Sequence, residues 1–343
     1  MSFKIHLKPS GHSFDCEPQQ TILEAALKNG FAFPYGCRNG ACGACMGELL
    51  EGNVEYPEGS YVNMTLAREE GNKALFCQAH PKTDLSIEIK EIGAAKDIQI
   101  KTLPARVHAL EKLAEDVMSV KLRLPATQRM PFLAGQYIDF LLKNGQRRSF
   151  SMANAPHDDE VIELHVRHVP EGYFTGFVFE QLQEKSLLRI EGPHGSFCLN
   201  EASDKPIIMV AGGTGFAPIK SLIQHLIHIE SKRPVTLFWG VRAKADLYLD
   251  ELAQGWLQQY SNFSYIPVLS EAKSEDEWMG ERGWVHAAVL ENIAPEKLSA
   301  YEVYACGPPP MVDALRESLL IRGLGADSFF ADAFDFQSTH SSM

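Results

Sequence analysis

Three cysteines lie within nine residues of one another in the stretch PYGCRNGACGACMGELLEG, residues 34–52, and a fourth follows in ALFCQAH. The spacing is Cys37-x4-Cys42-x2-Cys45, with a long gap to Cys77. Clustered thiols can form disulfides, bind zinc or hold an iron–sulfur cluster. Glycine and alanine fill many of the positions between them, which lets the backbone approach a bound group closely.

The number and spacing of the cysteines favour the iron–sulfur cluster. Structural zinc sites usually combine two close cysteine pairs, or one such pair with two histidines, and here only Cys42 and Cys45 form a close pair. The chain has seven cysteines, an odd number that does not suit a disulfide framework. A C-x4-C-x2-C motif followed by a distant cysteine is the plant-type pattern of a 2Fe–2S cluster. We therefore predict that the metal ligands are Cys37, Cys42, Cys45 and Cys77.

The composition is that of an ordinary globular protein of more than one domain. The chain has 343 residues, of which 45% are hydrophobic and 22% are charged, and this length predicts two or three domains. No apolar run approaches the roughly 20 residues of a membrane span, and MSFKIHLKPSGHSF at the start lacks the pattern of a signal peptide. We therefore expect a cytoplasmic protein with no membrane partner. The net charge of −12 argues against nucleic acid as a partner.

Residues 1–92 have the pattern of a small α+β domain. FKIHLKP and HSFDCEP alternate like the two strands of a hairpin, and DLSIEIKEI is typical of a closing strand. In TILEAALKNG, Thr21 and Glu24 form a capping box before helically spaced apolar residues, and Gly30 follows where the helix should end. Residues 93–104 are predicted to be a linker.

The rest of the chain divides into a β-rich part and an α/β part. Residues 105–203 carry short strand-like runs separated by turn residues, which predicts an antiparallel β-barrel. Over residues 204–343, buried-strand runs such as KPIIMVAGG and YEVYACG alternate with helical stretches. This alternation predicts a parallel α/β sheet.

At RRSFS, residues 147–151, the chain resembles the ferredoxin–NADP reductase superfamily, whose signature is arginine, any residue, an aromatic residue and serine. The resemblance implies that Arg148 pairs with the flavin pyrophosphate, that Phe150 lies against the isoalloxazine ring and that Ser151 hydrogen-bonds near N5. Ser149 lies between them and is included in the predicted flavin site. A guanidinium group matches phosphate geometry well. The alternative interpretation of this motif is an ordinary strand with two surface arginines.

Two further stretches resemble flavin-binding segments of the same superfamily and occur in the same order. HVRHVPEGYFT includes the start of a helical stretch, where unpaired N–H groups can bind phosphate. EGPHGSF resembles the family's Gly-Pro-x-Gly-x-Phe turn. FAD is the more usual flavin in this arrangement. The positions that the resemblance assigns to the cofactor are Arg167, Gly172, Thr175, Gly192 and Gly195.

AGGTGFAPIKS, residues 211–221, is a glycine-rich turn between a strand and a helix. It lacks the Gly-Lys-Ser/Thr of a P-loop and the third glycine of the dinucleotide fingerprint. It resembles the superfamily's own pyridine-nucleotide turn at a helix N-terminus, which can receive a pyrophosphate. The residues implied are Gly212, Gly213, Thr214, Gly215 and Pro218.

YACGPPPMV resembles the superfamily's second nucleotide motif. The resemblance places Cys306 beside the nicotinamide carbon that gives up hydride, with Gly307 and Pro308 in the same site. The alternative is that Cys306 is simply a buried cysteine at a strand end. In the C-terminal FFADAF, Asp332 corresponds to an acidic residue near the flavin in some relatives, and Phe334 to a residue that covers the flavin ring or marks the nicotinamide slot.

Charged residues after the strand-like run VTLFWG bear on the choice between NADH and NADPH. Arg242 and Lys244 in VRAKADLYLDEL could meet a 2′-phosphate. However, GVRAKADLY is typical of NADH-using relatives, and acidic residues follow closely. We expect NADH, with NADPH as the alternative.

The resemblance implies a β-grasp ferredoxin domain, a FAD-binding β-barrel and an NAD(P)H-binding α/β domain, in that order. Electrons would pass from NADH through FAD to the 2Fe–2S cluster and on to a protein acceptor. Stretches such as GQRRSFSMANAP and LRIEGPHGSF resemble reductases of CDP-6-deoxy-3,4-glucoseen formation, in which a pyridoxamine-phosphate-dependent dehydrase receives the electrons. The alternatives are the reductase component of a ring-hydroxylating dioxygenase or multicomponent monooxygenase, and an orphan electron carrier.

Overall fold

The structure is a computed structural model. It describes residues 2–31, 33–40, 42–58, 72–90 and 99–334. The chain forms two compact units, which are described in turn. The first comprises Met1–Gln99, Gly195–Phe197 and Ala331–Asp335, and the second includes Ile100–His194 and Cys198–Phe330.

The first unit contains a five-stranded sheet in the order β2-β1-β7-β3-β5 and a small two-stranded sheet of β4 and β6. β1 is antiparallel to β2, as the predicted hairpin requires, and parallel to β7. Alternation along β1 buries Ile5 and Leu7 completely. The strands are β1 (Phe3–Lys8), β2 (Ser13–Cys16), β3 (Met46–Glu51), β4 (Val54–Glu55), β5 (Lys73–Leu75), β6 (His80–Pro81) and β7 (Leu85–Glu88).

Helix α1 (Ile22–Lys28) packs into this unit through its buried apolar face. The predicted capping box is present, because Thr21 Oγ1 accepts from the Glu24 N–H at 3.2 Å and Glu24 Oε2 accepts from the Thr21 N–H at 3.2 Å. A cap of this kind stabilises a helix by about 1 kcal/mol. The core beside α1 includes Phe33 and Phe76, both fully buried. The α+β class predicted for this part of the chain is confirmed.

A six-stranded antiparallel sheet forms the first half of the second unit, in the order β11-β10-β13-β8-β9-β12. β8 is unusually long and begins at Lys101, inside the range 93–104 that the sequence assigned to a linker. Helix α2 (Tyr173–Glu180) follows β12. The strands are β8 (Lys101–Ala114), β9 (Val117–Arg123), β10 (Tyr137–Leu141), β11 (Arg147–Ser151), β12 (Ile162–Arg167) and β13 (Leu187–His194).

The predicted parallel α/β sheet follows, in the order β17-β16-β15-β14-β18-β19. The first five strands in this order pair in parallel with their neighbours. Every residue of β14 is buried, as expected for a parallel strand that is covered on both faces. The strands are β14 (Ile207–Gly212), β15 (Val235–Val241), β16 (Phe263–Leu269), β17 (Glu281–Arg282), β18 (Glu302–Gly307) and β19 (Phe329–Ala333). The helices are α3 (Phe216–His228), α4 (Asp250–Gln259), α5 (Val285–Asn292) and α6 (Pro309–Ile321).

Among the described residues, no helix has both the length and the apolar character needed to span a bilayer.

Candidate cluster, flavin and nucleotide sites

The structure brings the four predicted cluster ligands together as two pairs of thiols. The Cys42 thiol is hydrogen-bonded to Cys37, and the Cys45 thiol to Cys77. The Cys42 N–H also donates to Cys37 Sγ at 3.3 Å. Three of the four are almost fully enclosed, with Cys42, Cys45 and Cys77 exposed by 3%, 2% and 4%.

The chemistry of these thiols fits a bound iron cluster. The hydrogen bond with Cys37, and then burial, raise the pKa of the Cys42 thiol, while the bond with Cys77 and burial raise the pKa of Cys45. Four crowded thiolates therefore need compensating positive charge, which iron supplies. None of the chain's seven cysteines, all of which lie in described segments, is in a disulfide.

The loop that carries the first three cysteines is shaped by left-handed residues. Arg38, Gly40 and Gly43 have φ values of 56°, 85° and 72°. Gln78 connects the cysteine loop to the segment that carries Cys77. Its Nε2 donates to the Arg38 carbonyl at 2.8 Å and to the Cys77 carbonyl at 3.0 Å. The fourth cysteine is thereby tied to the cysteine loop.

Two distant segments of the chain complete the first unit at this loop. Tyr35 N–H donates to Ser196 Oγ at 2.6 Å, and the Ser196 N–H and hydroxyl both donate to the Tyr35 carbonyl, at 2.9 and 2.8 Å. Asp332 of β19 lies beside Gly36, since a Cβ at Gly36 would be 3.0 Å from Asp332 Oδ1. The sequence analysis placed Asp332 near the flavin and did not foresee its contact with the cysteine loop.

The predicted flavin motif lies on β11, which pairs with β10 so that Arg148 is opposite Phe140 and Phe150 is opposite Ile138. Phe150 packs against Phe140 and Phe174, with ring centroids 5.8 and 5.5 Å apart. Burial lowers the pKa of the Arg148 guanidinium, so a bound phosphate would restore its stability as a cation. This strand can therefore hold a flavin phosphate beside an aromatic platform.

The opposite face of β11 contacts carboxylates of the barrel. Ser149 Oγ donates to Asp139 Oδ1 at 2.7 Å, so its hydroxyl proton is already in use. Arg147 pairs with Asp139 at 3.3 Å and also with Glu191. The guanidinium of Arg147 thus balances the charges of the Asp139 and Glu191 carboxylates. Ser151, which the sequence assigned to flavin N5, is 5% exposed at the end of this strand.

Four further predicted flavin residues lie at the start of α2, within β13 and directly after β13. α2 begins at Tyr173, two residues before Thr175, and Gly172 is its N-cap. Thr175 Oγ1 accepts from the Val169 N–H at 3.1 Å, which fixes the entry to this helix. Gly195 adopts a left-handed φ of 91°. A side chain at Gly192 would be blocked, because its Cβ would lie 2.9 Å from Ile138 Cγ2.

Arg167 lies next to the nucleotide turn, although the sequence grouped it with the flavin stretch. A Cβ at Gly213 would be only 3.3 Å from Arg167 NH1. Within the described chain, Nε and NH2 of Arg167 are buried and lack a hydrogen-bond partner. Carboxylates of Asp116 and Asp246 lie 3.3 and 3.8 Å from them. Arg167 thus contacts the nucleotide turn, and its charge is balanced by these two carboxylates.

The nucleotide turn is a short 3-10 turn, Gly213–Gly215, directly between β14 and α3. At Gly215 a Cβ would lie 2.1 Å from the Cys306 carbonyl oxygen, so only glycine fits. Gly212 is also crowded, by the side chains of Met311 and Pro308, with 2.6 Å to Met311 Sδ. The two nucleotide motifs of the sequence are therefore in direct contact.

The structure places the other predicted nucleotide residues around the same two strand ends. Cys306 is fully buried in β18, opposite Ala211 of β14. Pro218 lies in the first turn of α3, where proline is tolerated. The remaining positions are Thr214 within the turn, Gly307 at the end of β18, Pro308 at the N-cap of α6 and Phe334 directly after β19.

Comparison with known proteins agrees with this arrangement. Three family profiles match in succession: a 2Fe-2S iron-sulfur cluster binding domain at residues 5–82, an oxidoreductase FAD-binding domain at 104–198 and an oxidoreductase NAD-binding domain at 209–317. The Yersinia pestis CDP-6-deoxy-L-threo-D-glycero-4-hexulose-3-dehydrase reductase is 41% identical over 336 residues, which cover 97% of this chain and 99% of that protein. The chain belongs to the iron–sulfur flavoprotein reductases.

Other members of the family are similar over the same length. Reductase component 1 of a Comamonas terephthalate 1,2-dioxygenase is 37% identical, with 99% of this chain and 100% of that protein covered. The crystal structure of the Amycolatopsis cytochrome P450 reductase GcoB superposes with a TM-score of 0.78 at 30% identity, and covers 98% of this chain and 100% of its own. The protein is thus an NAD(P)H-dependent reductase of the ferredoxin reductase type, with FAD and a 2Fe–2S cluster as cofactors.

Proposed function

We propose that this reductase takes electrons from NADH and delivers them, through FAD and the 2Fe–2S cluster, to a CDP-6-deoxy-L-threo-D-glycero-4-hexulose-3-dehydrase. The observation that carries the choice of acceptor is the end-to-end similarity to the Yersinia pestis reductase named for that dehydrase. The similarity includes the cysteine loop as well as the flavin and nucleotide parts, so it covers the part from which electrons leave.

The chain's own residues have distinct tasks in this scheme. When bound, the cofactors would supply hydride donation at the nicotinamide, two- and one-electron chemistry at FAD and one-electron transfer at the cluster. Arg148 holds the flavin phosphate, and Arg167 binds the pyrophosphate of the nucleotide at Gly213. Cys306 borders the nicotinamide, and the four cysteine thiolates hold the irons.

NADH is the donor that suits the charges around the nucleotide site. A cleft of about 470 Å³ is lined by the carboxylates of Glu115, Asp116 and Asp246 as well as by His168 and Arg242. Asp116 and Asp246 pair with Arg167, which contacts the nucleotide turn at Gly213. Three carboxylates repel the extra charge of a 2′-phosphate. We expect NADPH to bind more weakly than NADH, so that half-maximal flavin reduction needs a higher concentration of NADPH, as measured by stopped-flow absorbance.

Both the ligand thiols and the proposed acceptor suit a reducing compartment, so we propose that the reductase works in the cytoplasm. Disulfide formation would remove the cluster ligands.

The acceptor is tested by reconstitution. The purified reductase is mixed with NADH, the dehydrase and its CDP-hexulose substrate, and NADH oxidation is followed with and without substrate. We expect oxidation that depends on both dehydrase and substrate, and that is absent with the Cys42→Ser variant. No stimulation by the dehydrase would refute the proposed acceptor.

A terephthalate dioxygenase component is the second candidate acceptor, because the Comamonas reductase is 37% identical over the full chain. The same assay with a dioxygenase component and its aromatic substrate separates the two. Stimulation by the dioxygenase but not by the dehydrase would assign the protein to the oxygenase systems.

A further inference from the structure

We propose that the face of β12 that carries Glu163, His165 and Arg167 fixes the position of the nucleotide-binding turn (Gly213–Gly215) relative to β11, the strand of the predicted flavin motif. Within this face, the pair of Glu163 with Lys220 is the principal contact that positions the turn for hydride transfer. The inference rests on the family's reductase activity, but it is independent of which protein accepts the electrons.

Three polar side chains project from the same face of β12, because residues two apart on a strand point the same way. Each of them meets a different part of the α/β half of the second unit. In order along the strand, the contacts are Glu163 with Lys220, His165 with Tyr248 and Arg167 with Gly213.

The first contact joins α3, the helix after the nucleotide turn, to the segment that follows β11. Lys220 Nζ, in α3, donates to Glu163 Oε2 at 2.8 Å and to the Ala153 carbonyl at 3.0 Å. The Ala153 N–H donates in turn to the Glu163 carbonyl at 2.7 Å. Ala153 lies two residues beyond Ser151, so Lys220 is bonded to both β12 and the chain that leaves the flavin motif.

The neighbouring residue of α3 repeats this connection. Ser221 Oγ donates to the Asn154 carbonyl at 2.7 Å, and Asn154 Oδ1 accepts from the Glu163 N–H at 2.9 Å. Both Lys220 and Ser221 are buried, exposed by 6% and 0%. Because α3 starts at Phe216, directly after the nucleotide turn, a shift of this helix would move the turn with it.

The second contact reaches the turn by a different route. His165 Nδ1 lies 3.1 Å from the Tyr248 hydroxyl, and the Tyr248 ring meets Trp239 edge-on at 5.2 Å between centroids. Trp239 Nε1 then donates to the Gly213 carbonyl at 3.0 Å. The turn is thus connected to β12 by two routes, one through Lys220 of α3 and the other through Tyr248 and Trp239.

The charge states of Glu163 and His165 show which ion pair forms on this face of β12. Burial raises the pKa of the Glu163 carboxyl, but its hydrogen bond with His165 and the charge of Lys220 outweigh burial and hold the pKa well below its usual range. Burial lowers the pKa of His165. At neutral pH, Glu163 is therefore ionised and His165 is neutral, so Lys220 is the cation that balances Glu163.

A contact of this kind affects rate more than binding. Hydride transfer depends steeply on the distance and angle between the reacting atoms, and a displacement of about 1 Å can slow a reaction by about 100-fold. Neither Glu163 nor Lys220 needs to touch NADH for this effect. A buried ion pair surrounded by hydrogen bonds can specify one relative position where an apolar contact would allow several.

The test is single-turnover reduction of the flavin by NADH in the Glu163→Gln holoenzyme, followed by stopped-flow. Glutamine keeps the shape of the side chain and removes its charge. We expect the limiting reduction rate to fall at least 10-fold, with the NADH dissociation constant, the flavin content and the flavin potential each near the wild-type value. Lys220→Met should likewise lower the limiting reduction rate and leave the other three quantities near the wild-type values. Limiting rates within twofold of wild type in both variants would overturn the proposal.

The matched control is Glu55→Gln, which removes a carboxylate paired with Lys82 at 2.6 Å in the first unit. It should leave the limiting rate unchanged. The double variant of Glu163→Gln with Lys220→Met should be no slower than the worse single variant, because both remove one contact. Fully multiplicative effects would contradict a shared role.

Two further measurements separate positioning from simple destabilisation. Hydrogen–deuterium exchange of the unreduced holoenzyme should become at least threefold faster at residues 211–215 and 152–154 in Glu163→Gln, with the cysteine loop unchanged. Lys220→Arg, which keeps the cation, should recover most of the rate. Loss of flavin from every variant, Lys220→Arg included, would mean a purely structural pair and would overturn the proposal. Failure of NADH to reduce wild-type flavin would instead refute the proposed function.

Discussion

The carboxylate of Asp332 packs against Gly36, so the end of β19 meets the cysteine loop at a residue without a side chain. A Cβ at Gly36 would lie 3.0 Å from Asp332 Oδ1 and 3.3 Å from Cys42 Sγ. Asp332 is 4% exposed, and Cys42 is 3% exposed. A glycine at this position therefore leaves room both for a predicted cluster ligand and for a residue nearly 300 positions further along the chain.

Gly36→Ala is expected to weaken the cluster site. The added methyl group must displace either the Asp332 carboxylate or the Cys42 sulfur, and such overpacking typically costs about 1–3 kcal/mol. We expect less iron per protein after purification, as measured by iron analysis and by the electron paramagnetic resonance signal after reduction. Gly255→Ala is the control, because that site in α4 has open space around it. Equal iron content in the two variants would contradict the packing seen at Gly36.

Cys42→Ser should separate the two halves of the electron path. Serine is a poor ligand for this cluster, so iron content and one-electron reduction of cytochrome c should fall by more than 10-fold. Reduction of the flavin by NADH, and of a two-electron dye, should persist because those sites lie elsewhere in the chain. Cys16→Ser is the matched control, since Cys16 is also fully buried but lies in β2. Equal loss of both activities in Cys42→Ser would show that the parts are not independent.

Local sequence patterns predicted the elements that are defined by nearby residues. The capping box of Thr21 and Glu24 fixes the start of α1, and the unbroken apolar run of β14 predicts a strand covered on both faces. The cysteine spacing predicted which thiols come together, because it matches the plant-type pattern of a 2Fe–2S cluster.

Contacts between distant segments were beyond the reach of such patterns. The position of Asp332 beside Gly36 depends on how β19 is placed, which no local signal specifies. The long strand β8 begins at Lys101, within residues 93–104, which the sequence analysis assigned to a linker. The alternation of Glu163, His165 and Arg167 predicts one polar face of a strand, but not that this face meets the nucleotide turn rather than water.

Arg148→Ala is expected to release the flavin. A charged hydrogen bond to phosphate contributes about 1.5–3 kcal/mol, so flavin affinity should fall by about 10- to 100-fold. The flavin-to-protein ratio after gel filtration measures this loss, and added FAD should restore it at high concentration. Arg123→Ala, at the end of β9, removes an exposed arginine from the same barrel and should keep its flavin. A normal flavin ratio in Arg148→Ala would remove this residue from the flavin site.

The buried His165 should make the second unit sensitive to acid. Burial lowers the pKa of His165 in the folded protein, whereas the unfolded chain takes up this proton at about pH 6.5. The unfolded state therefore binds more protons below that pH, and the free energy of unfolding should decrease as the pH falls below about 6.5. The slope from one such group is at most about 1.4 kcal/mol per pH unit. Glu163, whose pKa is also held low, adds a loss of the same sign below about pH 4.3.

His165→Gln tests this origin directly, since glutamine keeps two polar atoms towards Tyr248 and Glu163 but does not titrate in this range. The variant should be less stable at pH 7.5 because the contacts fit less well, and its unfolding free energy should change less between pH 6.5 and 5. Urea denaturation followed by flavin fluorescence measures both quantities. His108→Gln, at an exposed position of β8, should keep the wild-type slope. If His165→Gln kept that slope as well, the acid sensitivity would have to come from other groups, and His165 would not be held neutral by burial in the folded protein.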